Sequence, residues 1–363
     1  MTADEILALG FELCASDVHI TVDSSPAFRL CGEILPLDAP EWRGKPGAEV
    51  AGAGKLKPED TDSLIRQIMT SAQYDKFQEV GELDFAYAVP GLCHYRVNAF
   101  KQRGCVGFTG RLIGAKILSF RELGLPDTLA ALCRKPAGLV LVTGPAGSGK
   151  STTLASMIDL INTERRYHII TLEDPIEFVH RHKKSLVHQR EIGKDTCTYA
   201  SALRAVLRQD PDVILFGEMR DPETIGIAIT AAETGHLVFG TLHTANATQA
   251  IDRIIDAFSP YQQQQIRAQL SITILGIVAQ TLIPRVDKPG RVVATEVMIA
   301  TPAIRNLIRE GKTHQIAGQI QTGARYGMQS LDADLRSICL KKVISKEDAL
   351  DRALDPETLM RLI

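Results

Sequence analysis

No two cysteines of this 363-residue chain stand at C-x-x-C spacing. The seven (Cys14, Cys31, Cys93, Cys105, Cys133, Cys197 and Cys339) are scattered, which excludes a zinc ribbon and a disulfide framework and suits reduced thiols in a cytoplasm. Charge of one sign is also missing. With 41 Lys and Arg against 43 Asp and Glu, the formal net charge is −2, so there is no overall basic excess to act as a footprint for nucleic acid or an anionic membrane, which leaves room only for a local basic patch. The first ten residues carry Asp4 and Glu5 where a signal peptide would have a basic region. The most apolar stretch, Ser271 to Ile283, is broken by Thr273, Gly276, Gln280 and Thr281 and is too short and polar to span a bilayer. There is no repeat of fixed period and no low-complexity tail.

What remains is an ordinary globular composition, 45% hydrophobic and 23% charged, on a chain longer than one core usually organises. Its texture changes midway. Up to about Leu112 it mixes strands and helices: Phe28 to Leu35 and Leu83 to Val89 alternate like half-buried strands, and Ser63 to Met69 reads as helix. Between them, Asp38 to Lys57 holds Pro40, Gly44, Pro46, Gly47, Gly52 and Gly54, the composition of a long mobile surface loop. From Gly138 onward, short branched runs (Leu139 to Val142, His168 to Leu172, Val213 to Phe216, Leu237 to Thr241) alternate with helical stretches. Such runs are strands of a parallel sheet buried on both faces, hence an α/β domain. The last hundred residues read as mostly helical, with one helix from Tyr261 placing Ile266, Leu270, Ile274 and Ile277 on one face.

Gly144-Pro145-Ala146-Gly147-Ser148-Gly149-Lys150-Ser151 fits G-x-x-x-x-G-K-[ST] between a predicted strand and a helix over 151–161. Glycines let successive backbone N–H groups turn toward phosphate oxygens, and the helix N-terminus adds partial positive charge. Lys150 is expected to reach the β- and γ-phosphates of ATP and the Ser151 hydroxyl to bind Mg²⁺, with Thr152 next in the cradle. Ligands of open α/β sheets lie beyond the carboxyl ends of the strands. Glu173 and Asp174 follow one strand, and Glu218 follows another after Gly217. P-loop chemistry needs an acid beside the metal and a group that orients water, roles assigned here to Glu218 and Glu173. His243 ends its strand on the same side, while His236 begins it on the opposite side, where a subunit contact suits it better.

Together these segments resemble the secretion ATPase superfamily and, within it, the type IV pilus retraction ATPase (PilT) family. The matching stretches are GPAGSGKSTT from Gly144, TLEDPIEFVH from Thr171, LRQDPDVILFGEMRD from Leu207, AAETGHLVFGTLHTANA from Ala231, TPAIRNLIREGKTHQI from Thr301 and QTGARYGMQSLDADL from Gln321. ASDVHI from Ala15 and GELDFAYAVPGLCHYRVNAF from Gly81 match as well. The resemblance implies a PAS-like α+β N-terminal domain (1–112), a linker (113–120) and a RecA-like ATPase domain (121–363). It also implies a homohexameric ring with ATP between the domains, cytoplasmic and peripheral at the inner-membrane base of the pilus machine, on a platform protein. It assigns the catalytic glutamate of the acidic box to Glu173, the atypical Walker B glutamate to Glu218, and the histidine box to His236 and His243. Phosphate-clamping arginines fall on Arg96 and, in a poorer register, Arg111, with Arg204 and Arg208 in a further matching stretch. Ala146 stands where the family usually has threonine.

The branch is chosen on Ala303 to Arg309, which resembles the retraction signature. As a helix, capped by Thr301 with Pro302 in its first turn, it places Ala303, Ile304, Leu307 and Ile308 on one face. The tetracysteine motif and extra N-terminal domain usual in assembly and type II secretion ATPases are absent. The sequence therefore predicts a MgATP-hydrolysing retraction motor with no nucleic-acid partner and no membrane insertion. The alternatives are an assembly or secretion ATPase, an ATP-binding regulatory module with little turnover, and a nucleic-acid translocase on the same core.

Overall fold

The structure, a computed structural model, describes residues 1–13, 15–30, 32–42, 54–113, 117–219 and 221–363. The chain divides into two units, Met1–Lys116 and Ile117–Ile363.

In the first unit, strands β1 (Asp17–Ile20), β2 (Ala27–Leu30), β3 (Glu33–Pro36), β4 (Glu82–Val89), β5 (Cys93–Gln102) and β6 (Cys105–Ile113) form an antiparallel sheet ordered β3-β2-β1-β6-β5-β4. Helices Ala3–Glu12, Pro58–Ile68 and Ser71–Val80 accompany it. Their ends are written locally: Thr2 and Glu5 make a reciprocal capping box, Pro58 opens the second helix, and Gly81 closes the third at φ +88°. Leu7, Phe28, Phe77, Tyr95 and Phe108 fill the core, and the Tyr95 hydroxyl donates to Leu7 O at 2.8 Å.

Two expectations change here. Phe28 to Leu35 is not one strand but the hairpin β2–β3, reversed at Gly32 with φ +96°. The alternation reads on across the reversal because a short turn preserves the period of two. Asp38 to Lys57 is only partly a loop. Pro40–Trp42 is a 3₁₀ turn, Trp42 packs edge-on against Phe28 at 6.0 Å between ring centroids, and Leu56 exchanges backbone bonds with Asp23 and Ser24. Residues 43–53, the middle of that segment, and 114–116 of the expected linker lie outside the described residues.

The second unit is built on β7 (Gly138–Thr143), β8 (His168–Glu173), β9 (Leu186–Glu191), β10 (Val213–Phe216), β11 (Leu237–Leu242), β12 (Ile274–Pro284) and β13 (Arg291–Ile299), ordered β13-β12-β7-β11-β10-β8-β9. All neighbours are parallel except β12–β13. The expected α/β class holds. Every residue of β7, β10 and β11 is buried, because the sheet has apolar layers on both faces. Leu139, Leu141, Ile214 and Phe216 point into the layer of helices Pro222–Glu233 and Ala247–Asp256, while Val140, Val142, Val213 and Leu215 meet helix Lys150–Glu164 on the other face.

The C-terminal region is largely helical as expected, but it also contributes the two strands β12 and β13. The helix from Pro260 stops at Thr273, and Ile274 and Ile277 lie in β12. Ile274, Ile277, Val278, Thr281 and Ile283 are β-branched, and an eleven-residue strand buries them between neighbours better than a lone helix face would. Arg305 secures the junction, donating to Ser271 O at 2.7 Å, to Ile272 O and to Ala300 O at 3.1 Å. Helix Pro302–Arg309 forms as read, with Thr301 accepting from Ile304 N–H and Ile304 and Ile308 buried. Leu307 is half-buried against the core, but Ala303 is exposed and does not share the packed face.

Candidate nucleotide and catalytic site

The loop between β7 and helix Lys150–Glu164 curls because its three glycines adopt conformations that other residues rarely take: Gly144 at φ +149°, Gly147 at +76° and Gly149 at +87°. Gly144 is also sterically obligatory. A Cβ there would stand 2.3 Å from Gln280 O and 2.6 Å from Ser148 Oγ. Behind the curl lies β12, whose Gln280 donates from Nε2 to Ser148 O at 2.7 Å. Ser148 Oγ is buried and has no hydrogen-bond partner among the described residues.

Lys150 is buried at the start of the helix and folds back over the curl, donating to Gly144 O at 2.8 Å and Pro145 O at 2.9 Å. Burial lowers its pKa, opposed by the nearby Glu218 and Glu177 carboxylates. The ammonium thus hangs over the loop, where phosphate oxygens could replace two carbonyls as its acceptors.

Around this curl opens a cleft of about 520 Å³, lined among others by Ala146, Gly147, Gly149, Lys150, Ser151 and Thr152 of the cradle and by Glu173, Asp174, Glu218 and His243. The parallel order β7-β11-β10-β8 places the carboxyl ends of four strands side by side, which is why residues far apart in sequence converge here. Glu173 ends β8, partly buried, and accepts from Thr171 Oγ1 at 2.6 Å and Gln189 Nε2 at 3.1 Å. Burial raises its pKa and Glu177 adds to the rise, while those two donors and the Glu177 N–H work against it.

Glu218 follows β10 after Gly217, whose N–H donates to Leu172 O at 2.8 Å and whose Cβ, if it had one, would meet Tyr199 OH at 2.8 Å. The absent side chain lets the chain run close beside Leu172 and Glu173 of β8, and the next residue, Glu218, meets His243, with Nε2 to Oε1 at 3.3 Å. His243 Nδ1 lies 3.5 Å from Lys150 Nζ. The histidine's loop is tied at both ends: Thr244 N–H donates to Thr143 Oγ1 at 3.0 Å, and Ala247 N–H to the buried Glu296 at 2.8 Å.

Within the second unit, His236, Arg204 and Arg208 do not line the cleft. His236 lies at the far end of β11, its carbonyl taken by Gly138 N–H and its Nδ1 2.9 Å from Ala231 O. Arg96 and Arg111 belong to the first unit, where they are cross-strand partners on β5 and β6 and Arg111 Nε donates to Asp17 at 2.9 Å. Although burial works to raise the Asp17 pKa, that arginine and Ser16 hold it below the usual value. Arg204 pairs with Glu223, and Arg208 donates to Arg204 O at 2.8 Å.

Other residues of the cleft escaped the motif reading. Tyr199, Glu177, Thr241, Leu282 and Arg291 line it, and Gln280 braces it from behind. The available signal was Gln280 itself, a polar residue inside an apolar run.

Comparison with known proteins follows the same geometry. Residues 114–334 match the family described as "Type II/IV secretion system protein". The chain is 46% identical over 98% of its length to a Pseudomonas aeruginosa protein named "Type IV pilus retractation ATPase PilT", covering 99% of that protein. It is 44% identical over 92% of its length to "Twitching motility protein" of Neisseria gonorrhoeae, covering 86% of it. Among solved structures, "Crystal Structure of the Pilus Retraction Motor PilT and Bound ADP" superposes with a TM-score of 0.89 at 46% identity, covering 99% of each chain. The Legionella pneumophila ATPase DotB superposes at 0.79 with 27% identity, covering 96% of this chain and 95% of that one.

Proposed function

This chain belongs to the type II/IV secretion system protein family, in its pilus retraction branch, and from that premise we propose that it is the MgATP-driven motor that withdraws type IV pili. The observation that carries the proposal is the convergence of the P-loop curl, Glu173, Glu218 and His243 on one cleft. The relative with bound ADP supports a nucleotide as the ligand.

The cleft is suited to Mg²⁺ as companion ion. Its lining includes the Ser151 hydroxyl and the Glu218 carboxylate, which would hold the ion, and among the described residues no group of three or more His, Cys, Asp or Glu could cage an ion. Mg²⁺ commonly takes only one or two protein oxygens and completes its shell with water and phosphate. When bound, it would supply charge neutralisation at the β- and γ-oxygens. Lys150 leaves the carbonyls of Gly144 and Pro145 for the phosphates. Glu173 orients and deprotonates the attacking water, and His243, between Glu218 and Lys150, responds to the γ-phosphate.

On this reading the first unit is PAS-like, the second RecA-like, and six copies form a ring. Arg96 and Arg111 neutralise charge spreading over the transferred phosphoryl group, and His236 serves a contact between subunits. The motor works on the cytoplasmic side of the inner membrane against a platform protein. No helix of the described residues is long and apolar enough to cross a membrane.

The chemistry is tested by phosphate release from purified protein, which should need both ATP and Mg²⁺ and cease on chelation. No affinity for MgATP at millimolar levels would end the proposal. Coupling is tested separately through Leu307, half-buried and remote in sequence from the site. Leu307→Ala should leave hydrolysis within about twofold of wild type, as partial truncation outside a site usually does, while abolishing twitching. Full twitching would count against the retraction assignment.

A further inference from the structure

Glu173 stands one strand inside the sheet edge, and the edge strand β9 places Gln189 beside it, with Thr171 paired to Gln189 across the parallel ladder. The amide of Gln189 can be oriented from its surroundings. Its Oε1 accepts from His180 N–H at 2.7 Å, and its Nε2 donates to Phe178 O at 2.8 Å. A backbone donor on one side and a backbone acceptor on the other permit a single orientation of the amide. That leaves one Nε2 hydrogen, and it is directed at Glu173 Oε1, 3.1 Å away. Thr171 Oγ1 donates to the same oxygen.

We propose that Gln189 is a positioning residue for Glu173, locking the carboxylate to the 174–180 segment so that water activation depends on that segment being in place. The inference rests on the ATPase reading above. Every hydrogen-bonding group on the Gln189 amide is used: one ties Glu173 and two tie the segment that follows it. Displacing Phe178 and His180 therefore withdraws the donor from Glu173, which gives the edge of the sheet a lever on the chemistry. The titratable and charged groups around Glu173 are Asp174 and Glu177 of the same segment, Glu191 of β9, Glu218 after β10, His243 after β11, and Lys150 and Arg291 of the cleft lining. The side chains that donate to Glu173 are Thr171 and Gln189, so loss of Gln189 leaves Thr171 as the side-chain donor.

Two variants test this. Gln189→Met keeps the volume and removes all three bonds; Gln189→Asn adds no charge but is one methylene shorter, so its amide cannot bridge Glu173 and the segment at once. In both, kcat should fall by roughly tenfold or more, as expected for a hydrogen bond to a charged group, with KM for ATP within about twofold. The acid limb of the kcat profile should move up by about one pH unit. A merely structural role would leave that limb in place. An unmoved limb with kcat near wild type, or a change confined to KM, overturns the proposal. If the methionine variant fails to fold, the asparagine variant decides. Amide exchange gives a readout independent of turnover: His180 N–H should exchange about tenfold faster in Gln189→Met, and unchanged exchange counts against the assignment. Absence of turnover in the unaltered chain would instead overturn the ATPase reading, and exchange alone would then decide the role of Gln189.

Discussion

Glu173→Gln should lower kcat for ATP by about 10²- to 10⁴-fold, the usual worth of a positioned general base, while the protein still binds nucleotide. Glutamine keeps the shape and can still meet Thr171 and Gln189, but it cannot take a proton from water. Phosphate release at saturating ATP measures the loss, and binding of a fluorescent ATP analogue shows that the cleft survives. Glu218→Gln should be similarly inactive, through the metal side of the site. Unchanged steady-state hydrolysis in both variants would refute the site.

The same substitution carries a stability signature of opposite sign. Burial raises the Glu173 pKa above its ordinary value, so between the two values the folded protein binds more protons than the unfolded chain. Stability contributed by this group is therefore greatest at low pH and falls as pH rises through the raised pKa. At neutral pH the buried carboxylate is a net cost that neutral glutamine escapes. Glu173→Gln should accordingly melt higher than wild type at pH 7 and show a smaller advantage at pH 4 to 5. Activity runs the other way, because it needs the ionised form and fades as pH drops through the same value. A variant that melts lower at pH 7 would mean that the donors, not burial, dominate the environment of this carboxylate.

Gly144→Ala is the second large effect. A methyl group there must occupy space already held by Gln280 O and Ser148 Oγ, at a φ of +149° that alanine avoids. Strain of this kind costs about 1–3 kcal/mol, and overpacking about 1–3 kcal/mol more. The melting temperature should drop by roughly 5 °C for a chain of this size. MgATP affinity should fall by more than about a hundredfold, because β12 backs the curl and cannot retreat without losing its place beside β7. Gly147→Ala is the control. Its φ is also positive, but no atom lies within 4 Å of its would-be Cβ, so only the backbone strain of about 1 kcal/mol applies. Equal losses in the two variants would show that conformation, and not the approach of β12, makes Gly144 necessary. Calorimetry and nucleotide titration measure both.

Much of this site could be read before any coordinates, for a definite reason. A P-loop is a local object: the glycines, Lys150 and Ser151 are contiguous, and their conformations are dictated within one turn of chain. Strands buried on both faces are legible for the same reason, since a run such as Val213 to Phe216 leaves no polar face to solvate. The carboxyl-end rule then carries Glu173, Glu218 and His243 to the same side and His236 to the other, without a coordinate.

The failures are equally physical. Ile266, Leu270, Ile274 and Ile277 fit a helical stripe, yet the last two belong to a strand, because helix and strand compete for short apolar runs and only neighbouring β7 and β13 decide. The β2–β3 hairpin hid inside an unbroken alternation that a short turn does not disturb. Ala303 sat on the right arc of its helix, but where a neighbour ends is not written in the helix that packs on it.

The sequence alone thus determined the curl of the glycine-rich loop, the α/β class and the side of the sheet on which Glu173, Glu218 and His243 gather, because each follows from local backbone geometry or from burial of a continuous apolar run. Tertiary structure alone decided that Gln280 braces the curl, that Gln189 holds Glu173, and that Gly217 lets Glu218 reach His243. Those contacts join residues 16 to 136 positions apart, or depend on the path of a neighbouring strand, and no local preference encodes the meeting of side chains brought together only by the order of strands in a sheet.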